Sequence, residues 1–220
     1  LLTRQLDRAQ LNDYRKRFGL SNPTRIQLPG QSGGIIPPAD MTDIQRDQAA
    51  FGQALSVTTI QDAAAVAGIV NGGVYHPPTV VSQVTDADGN TVDVDKRQSR
   101  RVISAKSSAQ VKDLMQAVLD TENGQKKLRL EDYTGGGKTG TAQRADPELH
   151  RYKGYVTSYL GFAPYDDPAI LTYVVLNNPR KGDSGSSTAN PVYKDVMKFA
   201  LPRYSVTPDA KAHKPKPITW

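Results

Sequence analysis

Apolar residues fall in short blocks of two different periods along this chain. In LNDYRKRFGL, Leu11, Tyr14 and Phe18 recur at helical spacing, and Gly19 offers a C-terminal cap. The segment SNPTRIQLPGQSGGIIPP has four prolines and three glycines and few periodic apolar positions, which predicts a loop with a short strand at most. TTIQDAAAVAGIVNGG predicts a buried helix, with Thr58 and Gln61 as a capping box and Gly72 after its last turn. GVYHPPTVVSQVTDADGNTV predicts a strand, then a strand pair around Asp88-Gly89. The clearest amphipathic helix is SSAQVKDLMQAVLDTENG. Val111, Leu114, Met115, Val118 and Leu119 form its stripe, Ser107 and Gln110 a capping box, and Gly124 its end.

The last third changes period. GGGKTGTAQ, YVTSYLGFAP and AILTYVVLNNP predict three strands, separated by an eleven-residue loop (144–154) and a turn at YDDP. KGDSGSSTAN is polar and predicts a flexible connection. A helix over PVYKDVMKFAL follows, with Pro191 in its first turn. Short connections imply antiparallel neighbours. The expected class is therefore α+β: helices first, then an antiparallel sheet with a helix packed on it.

Composition narrows the options modestly. The 220 residues can bury one substantial core, and 37% hydrophobic with 23% charged residues fits a globular protein. No apolar run approaches the roughly 18–20 residues of a membrane helix, and no secretory signal stands at Leu1. With no cysteine, disulfides and thiolate metal sites are excluded. The net charge of +6 favours anionic surroundings. Part of that excess lies in residues 203–220, where Arg203, Lys211, Lys214 and Lys216 face one acid, Asp209. This proline-containing stretch predicts an extended, poorly packed tail.

One short stretch carries candidate chemistry. TGGGKTGTAQ, residues 134–143, superficially resembles a phosphate loop. A Walker A loop would place its first glycine at position 132, which is Asp132, and would open a helix at once. Neither condition holds. Read as an edge strand, the stretch puts Lys138 and Gly140 on one face and Thr139 and Thr141 on the other. A hydroxyl pair at i and i+2 can grip a carboxylate, and an ammonium strengthens such bonds. Gly140 lets a ligand or another domain approach, an extended peptide can lie along the edge, and the Thr141 N–H is a candidate oxyanion donor. The competing reading is a glycine-rich hairpin that happens to carry a lysine.

Lys138-Thr139-Gly140 is also the third signature of the serine acyl-transferases that include penicillin-binding proteins and serine β-lactamases. In order, RFGLSNPTRIQLPGQSGGIIPP, FGQALSVTTIQDAAAVAGIVNGGV, GGGKTGTAQ, and YLGFAP with VVLNNP resemble the transpeptidase domain of class B penicillin-binding proteins, in particular the division-specific (septal) D,D-transpeptidases. The resemblance spans residues 1–202 and implies the C-terminal portion of a penicillin-binding/serine-transpeptidase fold. It departs from the family at Gln31, where an acid is common, and at Ala54, where glycine is usual.

The resemblance implies a site of three motifs. An S-x-x-K supplies the nucleophile and its base, an S-x-N a second hydroxyl and an amide-binding asparagine, and the K-T-G strand the grip on the substrate's terminal carboxylate. Neither S-x-x-K nor S-x-N occurs in this sequence. It therefore reads as a half-site. Lys138 and Thr141 are implied as catalytic residues, and Lys138, Thr139, Gly140 and Thr141 as substrate-binding residues, with the serine in an upstream segment. Alone, the chain is expected to be inactive, since a hydroxyl nucleophile needs its base and oxyanion hole together. The implied partners are peptidoglycan stem peptides, β-lactam antibiotics, that upstream segment and cell-division membrane proteins. The implied location is the extracytoplasmic face of the bacterial membrane, anchored through a segment N-terminal to these residues.

A non-catalytic penicillin-binding or sensor domain and a serine β-lactamase remain open alternatives on the same motif. No nucleic-acid partner is expected, because no stacking platform or recognition helix is evident. Three dispersed histidines give no ligand spacing, and Asp88-Gly89-Asn90 is only a fragment of a calcium loop, so no metal or cofactor is expected. His76 reads as a turn residue. The segment His150, Arg151, Tyr152 and Lys153 reads either as a solvated basic loop or, by the resemblance, as an overhang above the cleft.

Overall fold

In a computed structural model of the protein, described for residues 2–92, 97–120, 125–146, 148 and 150–210, the chain divides into two compact units, Leu1–Ser104 and Ala105–Trp220.

The first unit holds helices α1 (Arg8–Arg17), α2 (Asp43–Ala49) and α3 (Thr59–Val70) and four two-residue strands, β1 (Val74–Tyr75), β2 (Val84–Thr85), β3 (Thr91–Val92) and β4 (Arg100–Arg101). β1 pairs with β4 and β2 with β3, both antiparallel. All three helices start with a capping box, on Asp7/Gln10, Thr42/Gln45 and Thr58/Gln61. The α2 box leaves little mark in the sequence, because that helix has only seven residues and no apolar stripe. Gln61, fully buried, does more than cap. Its Nε2 donates to the carbonyls of Asn22 and Gly33, both at 2.9 Å, and so ties the Pro/Gly-rich loop onto α3. Ala64, Tyr75 and Val102 form the core here, with Tyr14, Phe18 and Ile103 packed against them.

Ala54 has φ +57°, a left-handed conformation that costs a non-glycine residue roughly 1–2 kcal/mol. Glycine avoids that cost but gives back about 0.5–1 kcal/mol of chain entropy. Ala54→Gly is therefore expected to stabilise the protein by about 0.5–1 kcal/mol. A denaturant midpoint that falls rather than rises would contradict this.

The second unit runs α4 (Ala105–Asp120), a 3-10 turn (Gln125–Leu128), β5 (Gly136–Asp146), β6 (Arg151–Ala163), β7 (Ile170–Asn177) and α5 (Ala189–Arg203). The strands form one antiparallel sheet in the order β5-β6-β7. Its central strand β6 is buried from Tyr159 through Ala163, and α5 covers one face of the sheet through Tyr193, Met197 and Leu201. Met115 of α4 meets the other face, beside Gly136 and Phe162. This is the α+β arrangement expected from the sequence.

Four local differences have physical causes. α4 starts two residues before the expected Ser107 cap, and its buried line is Ser108, Gln116 and Leu119 while Leu114 is exposed. The apolar stripe is thus rotated toward two polar residues. Gly124, its expected end, lies outside the described residues. The eleven-residue loop is instead mostly strand: Ala145 pairs with Tyr152 and Asp146 with Arg151, past a bulge between Gln143 and Ala145. Polar residues hid this extension, because a ribbon projecting beyond β7 has no core to face. The connection before α5 is tightly built, with the Ser184 carbonyl accepting from the Ser187 and Thr188 amides at 3.2 and 3.1 Å. Finally, the start of the expected tail is tied down at a few points while most of residues 203–210 stay exposed. Asp209 accepts from the Thr134 amide at 2.6 Å, and Val206 packs against the core. His213 and the tail lysines lie outside the described residues.

Candidate functional site

Residues 138–141 lie on β5, a terminal strand of its sheet. Lys138 pairs with Leu160 and Gly140 with Ser158, whereas Thr139 pairs with Tyr159 and Thr141 with Thr157. Directly opposed residues of an antiparallel pair share a face. Thr139 and Thr141 therefore project on the face that α5 covers further along, with the fully buried Tyr159 and Thr157 beside them. Lys138 and Gly140 occupy the other face. Lys138 and Thr141 are exposed, and Thr139 and Gly140 half-buried.

The Lys138 ammonium donates to the Thr139 carbonyl at 2.6 Å. That carbonyl therefore points away from β6, since alternate residues of an edge strand turn their backbone groups outward. Thr141 has the same parity, so its N–H faces the same open edge. Among the described residues no ion pair involves Lys138. Its positive charge is available to an incoming anion.

Three close approaches hold this edge in place. A Cβ on Gly137 would stand 2.2 Å from the Tyr159 hydroxyl, and one on Gly140 2.4 Å from Ser158 Oγ. Gly137 leaves no room for a side chain beside the buried Tyr159 ring, whereas at Gly140 only the Ser158 hydroxyl would have to turn away. The Tyr159 hydroxyl makes no hydrogen bond of ordinary length, although Asn190 approaches it, and burial pushes its pKa well above the usual phenol value. The third approach is from residues 184–188. Gly185 sits over the Gly140–Ser158 pair, and Thr188 Oγ1 meets Thr157 Oγ1 at 2.8 Å. Neither Tyr159, Ser158 nor this turn stood out in the sequence. The only trace was a buried tyrosine position opposite Thr139 and a glycine among serines.

A cavity of about 290 Å³ borders the start of β5 at Thr134 and Gly135 but does not reach residues 138–141. Of the basic segment, Arg151 and Lys153 stand exposed on the projecting ribbon, with Tyr152 and Tyr155 also exposed. His76 accepts or donates one hydrogen bond with Ser99 at 2.6 Å within the first unit.

Residues 1–198 match the family described as the penicillin binding protein transpeptidase domain. The chain belongs to that family. Among relatives of this penicillin-binding domain, stage V sporulation protein D of Bacillus subtilis is 35% identical over 214 residues, covering 94% of this chain and 32% of that protein. The peptidoglycan D,D-transpeptidase FtsI of Escherichia coli is 29% identical over 204 residues, covering 92% of the chain and 33% of FtsI. The crystal structure of penicillin binding protein 3 from Mycobacterium tuberculosis complexed with ampicillin superposes with a TM-score of 0.82 at 27% identity, over 94% of this chain and 48% of that one. The chain thus spans about a third of the length of the curated relatives it matches. It shares their transpeptidase-domain fold.

Proposed function

We propose that these residues are the C-terminal part of the transpeptidase domain of a peptidoglycan D,D-transpeptidase, residues 1–202 forming the domain portion. The observation that carries this reading is the open edge of β5, where Lys138, Thr139 and Thr141 stand together in a chain of the penicillin-binding family. The Thr139 and Thr141 hydroxyls donate to the terminal carboxylate of a stem peptide, and Lys138 supplies the field that strengthens those bonds. The Thr141 N–H donates to the oxyanion. The nucleophile is a serine of the upstream segment. Its Oγ attacks the penultimate D-alanine carbonyl, the C–N bond breaks, and the terminal D-alanine leaves as an amine that takes up the serine proton. An amine of a second stem peptide then attacks the ester, forms the cross-link and returns the proton to serine. β-Lactams acylate the same serine because they present a similar carboxylate and acyl carbon. The likeness to the peptidoglycan D,D-transpeptidase FtsI supports this activity, and the reading places it at the outer face of the membrane. Among the described residues no helix is long and apolar enough to cross a membrane; the reading assigns a membrane anchor to the upstream segment.

A fluorescent penicillin tests the reading. This chain alone is expected to take no covalent label, and the protein carrying its upstream segment is expected to label on serine. Lasting absence of label in the longer protein would support a non-catalytic domain, and rapid release of hydrolysed drug a β-lactamase.

A further inference from the structure

We infer that the polar turn at residues 184–188 is a positioning element for carboxylate recognition, seated by Gly185 and locked by Thr188. The inference rests on the transpeptidase reading for its chemistry, but its geometry is independent of it.

Gly185 is buried, and a Cβ there would stand 1.9 Å from the Ser158 carbonyl oxygen and 2.9 Å from that of Gly140. Position 185 therefore admits only glycine unless the turn moves. The Gly140–Ser158 pair lies between the Thr139–Tyr159 and Thr141–Thr157 pairs. Thr188 bonds Thr157 Oγ1 at 2.8 Å, which places the turn on the face that Thr139, Thr141, Thr157 and Tyr159 share. Thr188 Oγ1 also reaches the Ser184 carbonyl at 2.7 Å, and Ser184 Oγ meets the Ser186 and Ser187 hydroxyls at 3.1 and 2.9 Å. The turn is thus closed on itself and pressed onto the strand pair from the threonine side.

Among the described residues β5 is an edge strand with β6 on one side only. There no second strand holds the spacing of Thr139 and Thr141. The turn supplies that restraint at the peptide between them. A grip on a carboxylate needs two hydroxyls held to a fraction of an ångström, because misplacement of about 1 Å costs roughly a hundredfold. Disturbing the turn therefore degrades recognition of the carboxylate before it degrades chemistry at the acyl carbon.

The test uses the protein carrying its upstream segment and two small thioester donors ending in D-alanine, one with a free carboxylate and one with the carboxamide. Their kcat/KM values are compared as a ratio. Loss of folded protein lowers both rates equally and leaves the ratio unchanged. Gly185→Ala is expected to lower the carboxylate-to-amide ratio at least tenfold. Thr188→Val keeps the shape and removes the link to Thr157, and is expected to lower the ratio about threefold to tenfold. If Gly185→Ala does not fold, Thr188→Val decides. A ratio within twofold of the parent in the folded variants overturns the inference. If the parent reacts with neither donor, the transpeptidase reading falls instead. Amide exchange at residues 138–142 then still decides the positioning role: Thr188→Val must speed exchange there, and unchanged rates overturn it.

Discussion

Replacing Thr139 and Thr141 together by valine is expected to slow penicillin acylation of the upstream-carrying protein by about a thousandfold. Each substitution removes one hydroxyl donor to an ionised carboxylate, a type of bond worth roughly 1.5–3 kcal/mol. Two such losses sum to about 4 kcal/mol, and each 1.4 kcal/mol is a factor of ten. Valine keeps the branched shape that suits a strand, and Thr141 is exposed, so the fold is expected to stand. The single variants are each expected to lose about tenfold to a hundredfold. The second-order acylation rate and the melting temperature are measured on the same samples. A double variant acylated within threefold of the parent would remove the carboxylate grip from this strand and leave the lysine as its only functional group.

A large stability effect is expected one residue before the motif. Gly137→Ala would put a Cβ 2.2 Å from the Tyr159 hydroxyl and 2.7 Å from Cζ of the same ring. Tyr159 is fully buried between the strand and Tyr193, whose ring centroid lies 4.7 Å away, so it has no room to retreat. Overpacking of this kind typically costs about 1–3 kcal/mol, and the upper end is expected here. For a chain of this size that is a fall of roughly 5–10 °C in melting temperature. Tyr159→Phe removes the atom nearest the clash, and that hydroxyl makes no hydrogen bond of ordinary length. Alone it is expected to be neutral or stabilising, since an unsatisfied buried hydroxyl carries its desolvation cost uncompensated. Combined with Gly137→Ala it is expected to recover about half of the loss, the rest staying with the ring. Additive effects in the double-mutant cycle would mean that the strand is not seated by this contact.

Most of the elements were legible in the residues. Helical spacing at Leu11, Tyr14 and Phe18, the Thr58/Gln61 box, and the period-two strands of the last third all appear where local preference predicted them. The alternation that separates Lys138 and Gly140 from Thr139 and Thr141 is a local property too, because a strand's side chains alternate whatever surrounds it. Capping and alternation are settled within a few residues, so a linear reading reaches them.

What the linear reading missed depends on residues far apart in sequence. The projecting β5–β6 ribbon is held by backbone pairing that needs no apolar pattern, so its polar residues suggested a loop. The turn at residues 184–188 has loop composition, yet its own hydrogen bonds and its seat against Ser158 and Gly140 hold it in place. Asp209 reads as part of a charged tail, yet the Thr134 amide holds it against the unit. In each case a hydrogen bond or steric stop is completed by a partner more than fifteen residues away or on another strand, and composition carries no record of that partner. Sequence alone thus specified which groups stand on the edge strand and on which side. Tertiary packing decided how firmly that edge is held, because a terminal strand takes its rigidity from whatever presses on its faces.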